Sequence, residues 1–216
     1  MTTVLLLAGC QMGLAPSDVY FQAQKSPEYF KAIAARTPQV VYRIDAQRYV
    51  TLERYEDCDA FFAELYYNDT AKGIHTLAGR ASGTVYQGRI INADPTGNNL
   101  VVPSADLPYS TDAGRNFKHY DYLKLSKFTQ VRQESGHYTI AAIKDQIIVE
   151  EVDYPRGAPN YGDSPNVGMD RLIAPSEKWV HSSSHTLLDL PLPASGEDQY
   201  VCSNAKLPEI PKSIQK

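Results

Sequence analysis

The sequence has little of several features that would indicate a common functional class. Its 216 residues include only 3 cysteines, 3 methionines and 1 tryptophan, and the 21 basic residues are outnumbered by 25 acidic ones. A net charge of -4 leaves no basic excess to neutralise phosphates, so we expect no nucleic-acid partner. Beyond the N-terminus, no apolar run approaches the roughly 18 residues that a membrane-spanning helix requires.

Sequence motifs of catalysis and cofactor binding are also missing. The chain has no Walker loop, no Rossmann glycine pattern, no Cys-x-x-Cys pair and no Gly-x-Ser-x-Gly turn. His181 and His185 flank three serines, with Asp189 nearby, but without a metalloprotease motif they are typical of a polar loop or edge strand. The acidic pair Glu150-Glu151 is explained by solvated surface. We therefore predict no enzyme activity, no cofactor and no metal site.

The residues that are plentiful favour strands and turns. The chain contains 15 tyrosines, 14 prolines and 13 glycines, and 43% of its residues are hydrophobic, an ordinary value for a globular protein. We predict a mainly β fold, with antiparallel hairpins in a two-sheet sandwich or a partial propeller-like body. Residues 39–206 are predicted to form this single β domain, and residues 207–216 a tail.

One short helix is predicted before the β domain. Ser26 can cap a helix, Pro27 suits its first position, and Glu28 favours its positive end. The run from Tyr29 to Ala35 continues the helix for two turns, and Thr37-Pro38 ends it.

The strand pattern indicates a series of hairpins. Residues 45–47 and Lys144-Asp145 read as hairpin loops, and residues 94–99 as a turn after which 100–102 returns. Residues 61–67 would also allow a helix, and 154–168 form a long loop. We expect strands at 40–44, 48–52, 61–67, from 74, at 84–91, 100–102, 137–143 and 146–152, and near Leu172, Val180, Leu187 and Tyr200.

The first ten residues predict the cellular compartment. An apolar run ending in Leu7-Ala8-Gly9-Cys10 resembles a bacterial lipobox, although no Lys or Arg precedes it and the run is short. We expect residues 1–9 to be a signal remnant, Cys10 to carry lipid, and residues 10–38 to hold the tether and the helix. Gln11, and not Asp, follows this cysteine, and by resemblance to enterobacterial lipoproteins this favours sorting to the outer membrane over retention at the inner one. The alternative is a buried first strand with an unmodified cysteine.

The two remaining cysteines are expected to pair. Once Cys10 is lipidated, Cys58 and Cys202 form an even pair in an oxidising compartment. Their disulfide would stabilise the fold by ~4–5 kcal/mol in the chain-entropy description. The alternative is two unpaired buried thiols.

A turn motif stands near the middle of the chain. The segment from Ser110 to Phe117 resembles the Asp-box, Ser-x-Asp-x-Gly-x-x-Trp, with Phe117 in the aromatic place. Asp112 can accept bonds from turn N–H groups, and Gly114 can take a positive φ. We interpret the motif as a structural hairpin device and not as a catalytic site.

Five phrases of the sequence resemble a known family. They are Pro38–Asp45, Arg48–Glu53, Tyr66–Thr70, Gln87–Gly97 and Tyr109–Phe117. They are similar to periplasmic immunity lipoproteins, which protect type VI-secreting enterobacteria against lipase effectors. The resemblance covers roughly residues 38–150 and implies a non-enzymatic inhibitor whose partner is a cognate secreted phospholipase or lipase. There are two alternatives to an immunity protein. One is a structural or assembly lipoprotein of the envelope, and the other is a sugar-acting or hydrolytic enzyme.

Candidate contact residues for such a toxin come from the loops, which carry binding more often than core strands. Tyr55, Asp57 and Asp59 lie in one loop, and Arg156 and Tyr161 in the long Pro/Gly segment. Tyrosine and arginine dominate interface hot spots, and acidic side chains can steer a basic surface.

Overall fold

A computed structural model describes residues 25–58, 63–81, 86–104, 107–120, 138–151, 169–173, 176–182 and 191–204. One helix, α1 (Pro27–Ala34), precedes twelve strands in this part of the chain. The strands are β1 (Gln39–Arg43), β2 (Arg48–Glu53), β3 (Ala63–Asp69), β4 (Ile74–Ala81), β5 (Arg89–Asn92), β6 (Leu100–Val101), β7 (Leu107–Ser110), β8 (Lys118–Tyr120), β9 (Tyr138–Ile143), β10 (Gln146–Glu151), β11 (Met169–Ile173) and β12 (Lys178–Ser182). The prediction of a mainly β fold with one short helix is confirmed.

Helix α1 begins where its sequence signals place it. The Ser26 side chain accepts a hydrogen bond from the Tyr29 N–H at 3.2 Å, and Pro27 occupies the first turn. Tyr29 and Ile33 are 1% and 4% exposed, so one face of this two-turn helix is buried. The Tyr29 hydroxyl donates to Glu56 at 2.7 Å, which fixes the helix against the loop after β2.

Sheet A is an antiparallel meander of β1, β2, β3 and β4 in chain order. From Ala63 to Tyr67 of β3, buried and partly exposed residues alternate, as they do in a sheet with one covered face. In β3, Ala63, Leu65 and Tyr67 are at most 2% exposed, whereas Glu64 and Tyr66 between them are partly exposed. Sheet A therefore has an inner face in the core and an outer face of mixed polar and aromatic residues.

Sheet B has the order β12-β11-β10-β9-β5, with β5 parallel to β9 and the other pairs antiparallel. Three successive residues of β10, Ile147 to Val149, are at most 1% exposed. Ile147 and Val149 pack in the main core, while Ile148 packs with Ile91 and Ala141 in a second cluster. Because neighbouring residues of a strand point to opposite faces, both faces of this sheet are covered at its centre.

Sheet C is small, with the order β6-β7-β8. The β9–β10 hairpin around Lys144-Asp145 agrees with its prediction. The expectation that residues 100–102 return against 84–91 is wrong, because β6 pairs with β7 and β5 pairs with β9. The turn at 94–99 thus sends the chain from one sheet to another.

Two side chains bridge the sheets with hydrogen bonds. The Tyr42 hydroxyl of β1 donates to the Ile90 carbonyl and accepts from the Asn92 N–H, both at 3.3 Å, joining sheet A to β5. The Asn92 amide donates to the Val101 carbonyl at 2.9 Å and accepts from its N–H at 2.8 Å. The Asn92 side chain thus extends the hydrogen-bond ladder of β6 from its own position in sheet B. The inner faces of all three sheets share one core.

Residues 191–204, which we call the strap, fasten the edges of two sheets. The Val201 N–H donates to Val41 at 2.8 Å along β1, and the Asp198 carbonyl accepts from the Ile90 N–H of β5 at 2.7 Å. Cys58 and Cys202, 144 positions apart, are bonded as a disulfide with Cα atoms 5.8 Å apart. The strap is not a strand at Tyr200, contrary to the expectation there, and Leu187 lies outside the described residues.

Candidate interaction face

The outer face of sheet A is the candidate functional site. The registers of the four strands place eleven side chains on the side of sheet A that faces away from the core. We call this set the outer face. Its members are Val40 and Arg43 of β1, Tyr49, Thr51 and Glu53 of β2, Glu64, Tyr66 and Asn68 of β3, and His75, Leu77 and Arg80 of β4.

Four of these side chains form a connected polar ring. Thr51 donates to Glu53 at 2.7 Å and accepts from the Asn68 amide at 3.0 Å. Asn68 Oδ1 lies 2.8 Å from His75 Nδ1, and His75 Nε2 lies 3.8 Å from Glu53 Oε1. Because an amide oxygen only accepts, His75 Nδ1 carries the proton in this arrangement.

Aromatic stacking holds the histidine in place. The His75 ring lies on the Tyr66 ring with centroids 4.5 Å apart and planes 4° from parallel. The Tyr66 hydroxyl donates to Glu64 Oε2 at 3.1 Å. Burial, followed by the negative charge of Glu64 and the hydrogen bond to it, raises the pKa of Tyr66. The hydroxyl therefore keeps its proton and remains a donor throughout the physiological range.

Cations flank this centre on both sides. The Arg43 guanidinium lies 5.6 Å from the centroid of the Tyr49 ring. Arg80 Nε lies 3.9 Å from Glu64 Oε1 at the other end of the face. Val40 and Leu77 are 36% and 37% exposed, among the few large apolar side chains of the described chain that reach solvent to this extent.

The composition of the outer face fits recognition of another protein. Tyrosine and arginine carry large contact area and dominate hot spots, and side chains already fixed by neighbours lose little entropy on binding. The described residues contain no group of three or more His, Cys, Asp or Glu able to hold a metal ion.

The predicted contact residues divide into three groups. Tyr55 is 2% exposed, and its hydroxyl donates to the Thr37 carbonyl at 3.2 Å, so its ring serves the core and not an exposed surface. Asp57 is partly exposed beside the disulfide. Asp59, Arg156 and Tyr161 lie outside the described residues.

The segments considered for catalysis are placed as follows. His181 lies in β12, which is the edge strand of sheet B in the described chain, and His185 and Asp189 lie outside the described residues. Cys10 also lies outside them. The sequence did not predict the outer face, because the alternation at 49, 51 and 53 and at 64, 66 and 68 indicates that these side chains share a face but not which face is outward.

The Ser110–Phe117 segment forms a tight turn between β7 and β8. Ser110 Oγ accepts from the Gly114 N–H at 2.9 Å, and Asp112 Oδ1 accepts from the Asn116 N–H at 3.0 Å. Burial alone would raise the pKa of Asp112, but the bonds from Asn116 and Ser110 outweigh it and lower this pKa. The carboxylate is therefore occupied in holding the turn.

Gly114 explains why this turn packs closely on sheet A. Its φ is +81°, and a Cβ there would lie 2.2 Å from Tyr67 Cε1 on the inner face. The Phe117 and Tyr67 ring centroids are 6.1 Å apart. The turn thus covers the inner face of β3, opposite to the outer face.

The sequence model of one family, described as the T6SS Tli3 immunity protein, matches residues 34–151. The chain belongs to the T6SS Tli3 immunity protein family. The match contains all eleven residues of the outer face and the whole of sheet A, whereas β11, β12 and the strap lie beyond it. No curated protein matches the chain. Among the described residues, none of the helical structure is long and apolar enough to cross a bilayer.

Proposed function

We propose that this member of the Tli3 immunity family is a lipid-anchored periplasmic protein that binds and neutralises a lipase effector delivered by type VI secretion. Family membership is the observation that carries the proposal. The lipase as target comes from the resemblance of the sequence phrases, and the anchor from the Leu7–Cys10 motif.

The disulfide supports the compartment. A bond between Cys58 and Cys202 persists in an oxidising space such as the periplasm and is rare in a reducing cytosol. An effector that attacks membrane lipid from the periplasm would meet an immunity protein tethered there before it reaches its substrate.

The outer face of sheet A supplies the contact surface in this proposal. A specific interface buries ~1,200–2,000 Å² in total, about 20–30 residues a side, so the outer face supplies part of it, mainly through its members other than the buried Thr51 and Asn68. The protein inhibits by covering the effector, and none of its own groups takes part in a reaction. Asp57, Asp59, Arg156 and Tyr161 remain proposed additional contacts.

Two matched charge substitutions test this face. Leu77 and Val180 are both apolar strand residues at the surface, 37% and 45% exposed, one in sheet A and the other in sheet B. A carboxylate placed within an interface is desolvated, so Leu77→Asp should weaken binding of the lipase effector by about 30-fold or more. Val180→Asp should change it by less than about twofold.

Growth under periplasm-directed lipase gives the cellular measurement. Wild type and Val180→Asp should protect cells, and Leu77→Asp should not. Fractionation of the same cells reports the anchor, since Cys10→Ser should leave the outer membrane. If wild type fails to protect against the secreted lipases encoded nearby, the immunity proposal falls and a structural envelope lipoprotein becomes the better account.

A further inference from the structure

A groove opens beside the outer face, between α1 and the ends of the strands of sheet A. Its volume is about 450 Å³. Glu64 and Arg80 belong both to the outer face and to the lining of this groove, so the two surfaces are continuous.

Four of the eight described residues that line the groove are apolar. Ile33 of α1 and Ala63 at the start of β3 are 4% and 2% exposed, and Phe30 packs beside them, half-buried. The accessible apolar surface of the groove belongs mainly to the partly exposed Phe30 and the exposed Ala34, and covering it with an apolar side chain releases water from both surfaces.

The rim of the groove is basic. Three cations, Lys31, Arg54 and Arg80, line it together with one carboxylate, Glu64. Both arginines reach that carboxylate only at long range, at 3.5 Å and 3.9 Å. Glu64 also accepts the Tyr66 hydroxyl. The described residues that line this cleft thus carry more positive than negative charge, in a chain whose net charge is -4.

Two of the cations are available to a partner. The Arg54 side chain is 60% exposed, and the exposed Lys31 makes no ion pair within the described residues. Such side chains lose little hydration when an incoming carboxylate pairs with them at the edge of a partly dry cleft.

The backbone at Arg54 is strained. Its φ is +50°, a left-handed conformation that costs a residue with a side chain about 1 kcal/mol and costs glycine nothing. The strained turn directs a long cationic side chain over the groove, and strain of this kind clusters at binding sites.

We propose that the groove receives an acidic segment of the effector, with one large apolar side chain inside the cleft and an adjacent carboxylate paired with Arg54 and Lys31. This inference rests on the proposed function, since the partner is the same effector. The groove is too small to be the whole interface, and the outer face that continues from it supplies the remaining area.

The test measures affinity between the full chain and the lipase effector of the proposed function. Arg54→Glu should weaken binding by about 10-fold or more, and Arg54→Glu with Lys31→Glu by about 100-fold. Arg54→Lys keeps the charge and should cost less than about threefold. The matched control is Lys178→Glu, the same charge reversal at an exposed residue of β12, with an expected change below about twofold.

Two further arms separate this inference from unfolding and from other occupants. Arg54→Gly removes the guanidinium and relieves the strain, so it should fold at least as stably as wild type and still bind the lipase more weakly. If wild type binds and Arg54→Glu, Arg54→Gly and Lys178→Glu all bind equally well, the groove inference is overturned while the immunity function stands. It is also overturned if the free protein self-associates through the groove and only that association is lost. If wild type binds no lipase at all, the proposed function itself fails.

Discussion

Sheets A and B use apolar strand residues in different ways. In sheet B, three consecutive residues of β10 are at most 1% exposed, and they divide between two clusters on opposite faces. In sheet A, Leu65 and Tyr67 of β3 pack in the core and Glu64 and Tyr66 beside them stay partly exposed. Thr51 and Asn68 of the outer face are 5% and 8% exposed and hydrogen-bonded to each other. One sheet therefore serves stability on both faces, while the other has a face available for contact.

The difference indicates where substitutions can alter binding of a partner without unfolding the protein. A change on either face of β10 removes packing, whereas a change at the outward residues of β4, His75, Leu77 and Arg80, alters exposed groups. Thr51, Glu53, Asn68 and His75 of the polar ring are ordered by hydrogen bonds to one another within the face. Predictions that separate stability from binding test this comparison directly.

The largest effect is expected from a charge inside sheet B. Ile148→Asp would place a carboxylate where the side chain is 1% exposed, an unpaired buried charge that should cost more than about 4 kcal/mol and prevent folding. Leu77→Asp on the outer face should cost less than about 1 kcal/mol. Circular dichroism and urea unfolding of the two purified variants give the measurement. Equal losses of stability would show that the outer face is also part of the packed structure.

The second effect concerns the strap that joins the edges of the two sheets. Replacing both Cys58 and Cys202 by Ser should lower the free energy of unfolding by about 2–5 kcal/mol, because the unfolded chain regains its freedom. Unfolding in urea, with Cys10→Ser as the control that keeps the disulfide, measures the change. A double variant as stable as the control would mean that the hydrogen bonds of the strap suffice without the disulfide.

The sequence predicted well those elements that are specified by residues next to one another in the chain. Ser26 and Pro27 mark the start of α1, Lys144-Asp145 marks the β9–β10 hairpin, and each depends only on neighbouring residues. The oxidising compartment made the Cys58–Cys202 pair an expectation, and these two cysteines are bonded in the structure.

Pairing between distant strands was not predictable in the same way. The apolar run that contains β5 could pair with any strand, and periodicity does not specify a parallel partner about 50 residues later in β9. The side chain that redirects the chain is Asn92, which binds Val101 in the manner of a backbone group. A single asparagine between an apolar run and a turn gives no sign of that role.

The candidate site was missed for a physical reason. Tyrosines are common in strands whether or not they bind a partner, so Tyr66 gave no separate signal from the core residue Tyr67 beside it. Tyr55 was predicted as a contact because it lies in a loop, yet hydrogen bonds to residues near β1 hold it inside. Which tyrosines face outward depends on the register, and the register was not known from the sequence.

The smallest effect is expected in the turn that covers the inner face of sheet A. A substitution there tests whether the inner face affects binding at the outer face. Asp112→Asn keeps one accepting oxygen but replaces the other, which accepts from the Asn116 amide at 2.7 Å, with a donor. The loss at neutral pH should be about 0.5–1 kcal/mol, the ordinary net contribution of such a bond. Because the turn packs on Tyr67 and not on the outer face, binding of the lipase should change by less than about twofold.

The pH dependence of that loss identifies its cause. Hydrogen bonds hold the pKa of Asp112 below its usual value near 3.9, so the carboxylate stabilises the fold above that pH. This stabilisation disappears as the pH falls through the lowered pKa of the folded state. The difference in urea midpoint between wild type and Asp112→Asn should therefore be largest near pH 7 and shrink below about pH 4. A difference that stays constant down to pH 3 would show that the carboxylate's charge contributes nothing and that the variant loses only shape. A loss of lipase binding in step with stability would mean that the two faces of sheet A are coupled, against the separation on which the interaction face rests.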